Sequence, residues 1–404
     1  MFPGLETGAF PGLARRMRFH PVFENMPTTV FETMSGLART HEAINLGQGF
    51  PDAPGPEELR QAAADAVLHG SNQYAPSRGL AELRAAVVEH YGRLQGVPLT
   101  TEGVLITSGA TEAIAASVLA VVRPGDEVVV FEPVYDAYVP LIERAGGVAV
   151  RVRLSPPEWR ITEDLLKDVA GPTTRALMFN NPLNPAGRAF DAEEIATVAR
   201  FCVEHDLIAI SDEVWEHVLF DGRAHRSLLA EPGMAGRTLK IGSAGKMFGL
   251  TGWKIGFVCG APEVVDPVAK AHQFLTFATA PNLQTAVAQG LAWPEERFTT
   301  LRAELQRSRD RLAVGLRAQG YVTTASEGTY FLCVDLKASG VDLDDEDFCR
   351  RLVTGFGVAA IPVSAFMTGE DRPTGIVRLC FAKADAVLDE AIVRLGRARD
   401  ALAG

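Results

Sequence analysis

From Gly103 onward the chain alternates short apolar runs with longer stretches in which apolar residues recur at helical spacing. The runs lie at 104–107, 128–131, 148–154, 176–179 and 208–211. Helices are predicted between them: from Thr111, over 136–145, over 162–169 and from Asp191. Continuous apolar strands set between amphipathic helices indicate an α/β fold. The sheet is mostly parallel and covered on both faces, because such strands are buried on two sides. Two further runs follow at 239–242 and 255–260, and there the alternation fades. A long charged helix is predicted from about Pro294 towards Leu316, leading into a smaller α+β unit built from 330–336, 358–361 and 377–381. Residues up to about Ile44 are rich in Pro, Gly and Phe and only weakly periodic. They read as an arm, with part of the small unit, that packs on something else such as a partner subunit. The expected division is an arm over 1–44, a large domain over 45–293 and a small domain over 294–404.

A chain of 404 residues is too long for one simple core and fits two domains. Its hydrophobic share of 47% is ample for burying them. The net charge of −11, with no basic tract, argues against a nucleic-acid partner. Cysteines 202, 259, 333, 349 and 380 are scattered and form no Cys-x-x-Cys, so neither a disulfide framework nor a zinc site is indicated. They read as core residues of a reducing compartment. The first residues lack a basic-then-apolar leader pattern, and the longest apolar stretch, near 114–122, is broken by Ser117. It falls far short of the roughly 20 residues that a membrane span needs. A soluble, cytoplasmic protein without a membrane partner is expected.

The candidate chemistry gathers around Lys246, in Ser243-Ala244-Gly245-Lys246-Met247-Phe248, with Thr251-Gly252-Trp253-Lys254 following. A lone lysine after a small-residue turn can form an imine with a cofactor aldehyde, and flanking hydroxyl and cationic groups can hold a phosphate. The run 104–107 enters Ser108-Gly109-Ala110-Thr111, where a helix begins. Alone this is an ordinary helix start; with Ser243 and Lys254 it becomes an anion site, since helix N-termini point N–H groups at negative charge. Asp212 ends the run 208–211. Strand C-terminal ends are where open α/β sheets place ligands. A buried carboxylate there can hold a pyridine nitrogen protonated. Asn184, in Asn180-Asn181-Pro182-Leu183-Asn184-Pro185, is fixed by prolines and could donate to a ring oxygen. Tyr135, in Glu132-Pro133-Val134-Tyr135, fits ring stacking and core packing equally well. Arg378 is a charge inside the apolar strand 376–381. A buried arginine demands a partner, and its planar fork suits an amino acid's carboxylate. Together these residues read as a pyridoxal-phosphate enzyme.

Two other motifs fail. Ser243-x-x-Lys246 has the form of a serine β-lactamase motif, but the chain lacks the S-D-N and K-T-G partners. Gly245-Lys246 is not a phosphate-binding P-loop, because Lys240 stands where glycine is needed and Met247 where Ser or Thr is needed. No histidine-rich metal spacing appears, and no metal is expected.

On these motifs the chain resembles the class I and II aminotransferases of PLP fold type I, and within them the kynurenine/glutamine and methionine aminotransferase branch. The resemblance runs from about Phe23 to the C-terminus. Besides the segments quoted, it rests on Ile44-Asn45-Leu46-Gly47-Gln48-Gly49-Phe50-Pro51-Asp52, Asn72-Gln73-Tyr74 and Glu327-Gly328-Thr329-Tyr330-Phe331. It implies a mostly parallel seven-stranded sheet between helices plus a smaller α+β domain. It implies that Lys246 forms the internal aldimine and later shuttles the proton. Asp212 would pair with the pyridine nitrogen, Asn184 with the ring oxygen, and Tyr135 would stack on the ring. Ala110, Thr111, Ser243 and Lys254 would hold the phosphate, while Arg378, Asn184 and the backbone at Gly47 would hold the substrate's α-carboxylate. Tyr74 would reach the other subunit's phosphate and Phe277 would line the neighbour's pocket, making a homodimer with shared active sites.

One position departs from the family pattern. Tyrosine usually stands three residues after the ring aspartate, and Trp215 replaces it. An indole N–H can donate but cannot accept or ionise.

The implied activity is transamination from an amino acid to a 2-oxo acid by ping-pong kinetics. No arginine can be assigned to a second substrate carboxylate, and 272–277 is aromatic. An apolar, aromatic or neutral donor is therefore expected, of the methionine, phenylalanine, kynurenine or glutamine type. The alternatives on this scaffold are a carbon–sulfur β-lyase or an N-succinyl-diaminopimelate aminotransferase. A PLP-binding sensor would require a DNA-binding segment, and no winged-helix pattern precedes the domain.

Overall fold

The computed structural model describes residues 19–24 and 26–403. The part of the expected arm before residue 19 lies outside them. A short strand, β1 (Ile44–Asn45), precedes a run of seven: β2 (Val104–Ser108), β3 (Glu127–Glu132), β4 (Val148–Arg153), β5 (Thr174–Asn180), β6 (Ile208–Asp212), β7 (Thr238–Ser243) and β8 (Ile255–Cys259). These seven form one sheet in the order β2-β8-β7-β6-β5-β3-β4. Only β8 runs against its neighbours, pairing antiparallel with β2 and β7. The parallel strands read as apolar runs because helices cover both faces, and Val128, Val129 and Val130 are all fully buried.

The crossover helices carry their own start signals. Helix Ala192–Glu204 opens with Asp191, whose carboxylate accepts from the N–H groups of Glu193 and Glu194, while Glu194 reaches back to the Asp191 N–H. Two expected helices are shorter than the sequence suggests: Tyr138–Arg144 within 136–145, and Glu163–Leu166 within 162–169. Prolines 156 and 157 and the positive φ of Asp168 confine the latter.

The 24-residue helix Glu295–Ala318 leads into a second, antiparallel sheet. Its strands are β9 (Val322–Thr323), β10 (Phe331–Asp335), β12 (Ile361–Pro362) and β13 (Ile376–Cys380), in the order β12-β13-β10-β9. The expected single strand at 358–361 is broken at Ala360. Its first half, β11 (Val358–Ala359), pairs parallel with β1, and β12 pairs antiparallel with β13. Within the described part of the expected arm, Thr29 caps a helix, Val30–Thr40, that packs on β11 and β12. Among the described residues, no helix is long and apolar enough to cross a membrane.

Candidate active site

A cavity of about 440 Å³ opens at the C-terminal ends of the large sheet's strands. Four segments at strand C-terminal ends supply its floor: 109–111 just after β2, and 180–184, 212–215 and 243–246, which begin on the last residues of β5, β6 and β7. The small sheet adds Phe331 from β10 and Arg378 from β13, and the N-terminal helix adds Thr29 and Phe31. The geometry obeys the rule that open α/β sheets bind ligands beyond their strand ends.

One end of the cavity suits an anion. The 13-residue helix Gly109–Val121 starts there, with Ala110 and Thr111 in its first turn and Ser243 and Lys254 beside them. The turn sits close against β8 because Gly256 has no side chain. A Cβ there would meet the carbonyl carbon of Gly109 at 2.6 Å and the nitrogen of Ala110 at 2.8 Å.

Between them lie two groups whose proton affinities burial displaces. Burial raises the Asp212 carboxyl to about 6, against the hydrogen bonds that favour its ionised form. Those come from the Tyr138 hydroxyl at 2.5 Å and the Val214 N–H at 3.3 Å. Burial lowers the Lys246 amine to about 8, with Cys380 opposing and Arg378 reinforcing the shift. About a tenth of the amine is therefore neutral at pH 7, far more than at its ordinary value. Lys246 Nζ donates to the Gly49 carbonyl at 3.2 Å and lies 4.7 Å from the Trp215 ring centroid. Thus Trp215 presents a ring face to the amine. Tyr330 fixes the segment from behind, its hydroxyl donating to the Lys246 carbonyl at 2.6 Å.

At the far end Arg378 is 1% exposed. Its Nη1 donates to Asn184 Oδ1 and its Nη2 to the Gly47 carbonyl, each at 2.8 Å, while Nε has no partner. Among the described residues no carboxylate lies within ion-pair distance of it. Burial lowers its proton affinity to about 10. The guanidinium is instead boxed by rings, 3.8 Å from Phe331, 5.2 Å from Phe31 and 5.3 Å from Phe366. A cation desolvated in this way, facing a cavity, is poised for an anionic ligand. Asn184 is held by its N–H on Asn180 Oδ1 at 2.8 Å, and its amide nitrogen donates to no group among the described residues.

These groups fit pyridoxal phosphate: an anion cradle, a buried carboxylate, an amine of lowered proton affinity and an uncommitted amide donor line one cavity.

The expected residues Ala110, Thr111, Tyr135, Asn184, Asp212, Trp215, Ser243, Lys246, Lys254 and Arg378 all line it. Gly47 does not. Its N–H is taken by Asn45 Oδ1 and its carbonyl by Arg378, and Gly49 stands at the wall instead. Tyr74 and Phe277 also lie outside the cavity. They are 87% and 43% exposed, with ring centroids 5.5 Å apart. Neither Tyr138 on Asp212 nor Phe31 and Phe366 around Arg378 was foreseen from the sequence. A second tyrosine one helical turn after Tyr135 was the only local signal for Tyr138.

Fold and cavity define a fold type I aminotransferase. The chain belongs to the class I and II aminotransferases, whose family model matches residues 41–395. It is similar to a probable N-succinyldiaminopimelate aminotransferase of Mycobacterium tuberculosis, 46% identical over 91% of this chain and 95% of the relative. Methionine aminotransferase of Escherichia coli is 39% identical, with the same coverages of 91% and 95%. Among solved structures, the N-succinyldiaminopimelate aminotransferase from M. tuberculosis superposes with a TM-score of 0.91 at 45% identity, covering 94% of this chain and 100% of that one. The protein is a transferase of amino groups between amino acids and 2-oxo acids, in a family whose membership implies pyridoxal phosphate.

Proposed function

We propose that this aminotransferase holds pyridoxal phosphate in the cavity and takes an amino acid with an apolar, aromatic or neutral side chain as donor. Pyridoxal phosphate, when bound, supplies an aldehyde for the amino group and a ring that draws electrons from the α-carbon. Residues of the chain do the rest. Ala110, Thr111, Ser243 and Lys254 hold the phosphate. Asp212, steadied by Tyr138, keeps a positive charge on the ring nitrogen. Asn184 donates to the ring oxygen, and Tyr135 and Trp215 confine the ring. Lys246 anchors the aldehyde at rest; released, its neutral amine takes a proton at Nζ and gives it back. Arg378 receives the α-carboxylate in two-point fashion.

One observation carries the substrate class: every cation of the cavity already has a task. Lys254 serves the phosphate, Lys246 the aldehyde and Arg378 the α-carboxylate. The remaining wall includes Phe31, Ile114, Phe331 and the carboxylate of Asp136. An acidic side chain would meet Asp136 and find no counter-charge. Similarity to a relative named for N-succinyldiaminopimelate supports a second reading, in which cations from another subunit meet the carboxylates of that substrate. The exposed Tyr74–Phe277 pair supports a homodimer in which both residues complete the neighbour's site.

Single-turnover half-reactions with methionine, phenylalanine, kynurenine, glutamine, aspartate and N-succinyl-diaminopimelate distinguish these readings. Methionine or the aromatic donors are expected to exceed aspartate in kcat/KM by about 100-fold, the cost of an unpaired buried charge. Dominance of N-succinyl-diaminopimelate selects the second reading, and dominance of aspartate overturns both.

A further inference from the structure

Behind the strand ends that form the cavity floor lies a second charged cluster, and no member of it lines the cavity. Lys240 on β7 is fully buried. Its Nζ donates to Glu213 Oε2 at 2.5 Å and Glu216 Oε2 at 2.6 Å, and lies 4.6 Å from the Tyr91 ring centroid. Glu213 also accepts from the Ser211 and Ser227 hydroxyls and the Leu228 N–H, and contacts His225 Nε2 at 2.7 Å. Glu216 accepts from the Tyr91 hydroxyl and from Gln95 Nε2, each at 2.6 Å. Gly242 leaves the room: a Cβ there would collide with the Tyr91 hydroxyl and come within 3.3 Å of Glu216 Oε1. The ligand atoms of Glu213, Glu216 and His225 are close enough to share a metal ion, but the Lys240 ammonium already occupies the point between the two carboxylates.

Two geometric facts tie this cluster to the cavity. Glu213 directly follows Asp212, and Lys240 lies on the strand that ends at Ser243 and turns into Lys246. β6 and β7 are paired neighbours, with Ser211 opposite Lys240 and Asp212 opposite Ile241. We propose that Lys240 is a positioning residue for transamination: its ammonium clamps the chain after Asp212 to the strand that delivers Lys246, and balances the charge behind Asp212. This rests on the assignment of Asp212 and Lys246 to the cofactor.

The groups facing Lys240 are Tyr91 from helix Ala81–Gln95, Glu213, Glu216 and His225 from the segment after β6, and Cys259 from β8. Burial and their surroundings lower His90 to about 4 and His217 to about 3, so both are neutral near pH 7. On the cavity side, Asp212, Arg378, Lys254 and Cys380 face Lys246. With those constant, changing the charge behind Asp212 must move the pH midpoint at which the visible absorbance of the bound cofactor changes. A unit charge about 10 Å away, at an effective dielectric near 20, moves such a midpoint by about 1 pH unit.

The test uses the full-length holoenzyme and its absorbance titration. Lys240→Met, which leaves more negative charge, is expected to raise the midpoint by about 1 unit. Glu216→Gln, which removes one, is expected to lower it by a similar amount, and the double variant returns near wild type. Cofactor retention on gel filtration, read in parallel, falls in Lys240→Met. If Lys240→Met does not fold, Glu216→Gln and Glu213→Gln alone decide, both lowering the midpoint. Midpoints unchanged within about 0.2 unit, or shifts of one sign for opposite charge changes, overturn the proposal. If wild-type protein itself shows no cofactor absorbance, the assignment of Asp212 and Lys246 has failed instead.

Discussion

Asp212 and Glu213 are adjacent in the chain and both buried, yet they belong to opposite kinds of charge cluster. On the cavity side, Asp212, Lys246 and Arg378 lack mutual ion pairs, and burial pushes all three towards neutrality, to about 6, 8 and 10. On the far side, burial acts in the same direction but loses. Lys240 and His225 hold Glu213 far below the usual carboxylate range, Lys240 holds Glu216 at about 2, and the two carboxylates hold Lys240 above its ordinary value. The desolvation is similar, and what differs is whether partners repay it. A paired cluster is structure. An unpaired one is held ready for a ligand, and the fold pays for that readiness in stability.

That contrast can be broken most forcefully at Lys246. Lys246→Ala should cut steady-state transamination by about four orders of magnitude while leaving the melting temperature of the cofactor-free chain no lower. A clear loss of stability would place Lys246 with the paired cluster. Next is Lys240→Met, which strands two buried carboxylates and should cost about 3–5 kcal/mol in denaturant unfolding of the cofactor-free chain. A loss below about 1 kcal/mol would mean that the far-side cluster does not hold the fold.

The pH dependence sharpens the comparison. Asp212 has a folded value raised from 3.8, so its contribution to stability is whole below pH 3.8 and lost as the pH rises through about 6. Lys246 has a folded value lowered from 10.5, so its contribution is whole above that and lost as the pH falls through about 8. Both penalties are in full between about pH 6 and 8. Asp212→Asn should therefore gain about 3 kcal/mol over wild type in this window and almost nothing near pH 4, measured by denaturant titrations on cofactor-free protein. A uniform difference at all pH values would contradict the raised carboxyl. The smallest effect is at Arg378. Arg378→Lys keeps the charge but loses the two-point fork, and KM for the amino acid should rise about 10- to 100-fold with kcat changed far less. An equal fall in kcat would move Arg378 into the chemistry of the reacting carbon.

The cavity side was the more legible of the two in the sequence, for a physical reason. Lys246, Asp212 and Asn184 each sit in a short segment after an apolar strand, where turn geometry and chemistry are written in adjacent residues. Arg378 announced itself as a charge in an apolar strand. The parallel sheet was legible because both its faces are covered, while the break at Ala360 was not, because it depends on β1 reaching β11 across the fold. Lys240 served in the sequence only to exclude a P-loop. Its partners lie 24 and 27 residues earlier, on a loop whose direction only the fold reveals. Tyr138, Phe31 and Phe366 were equally hidden, since each meets its target through packing between separate elements. That the Gly47 N–H is spent on Asn45 and its carbonyl on Arg378 was hidden as well, because the sequence does not show which backbone groups are already taken.

Lys246 as the cofactor's anchor is the assignment on which every other role in the cavity depends. Borohydride reduction of cofactor-saturated protein, followed by peptide mass spectrometry, should place a pyridoxyl group on the peptide carrying Lys246 and on no other lysine. An unlabelled Lys246, or a label on Lys254 or Lys240, would contradict it.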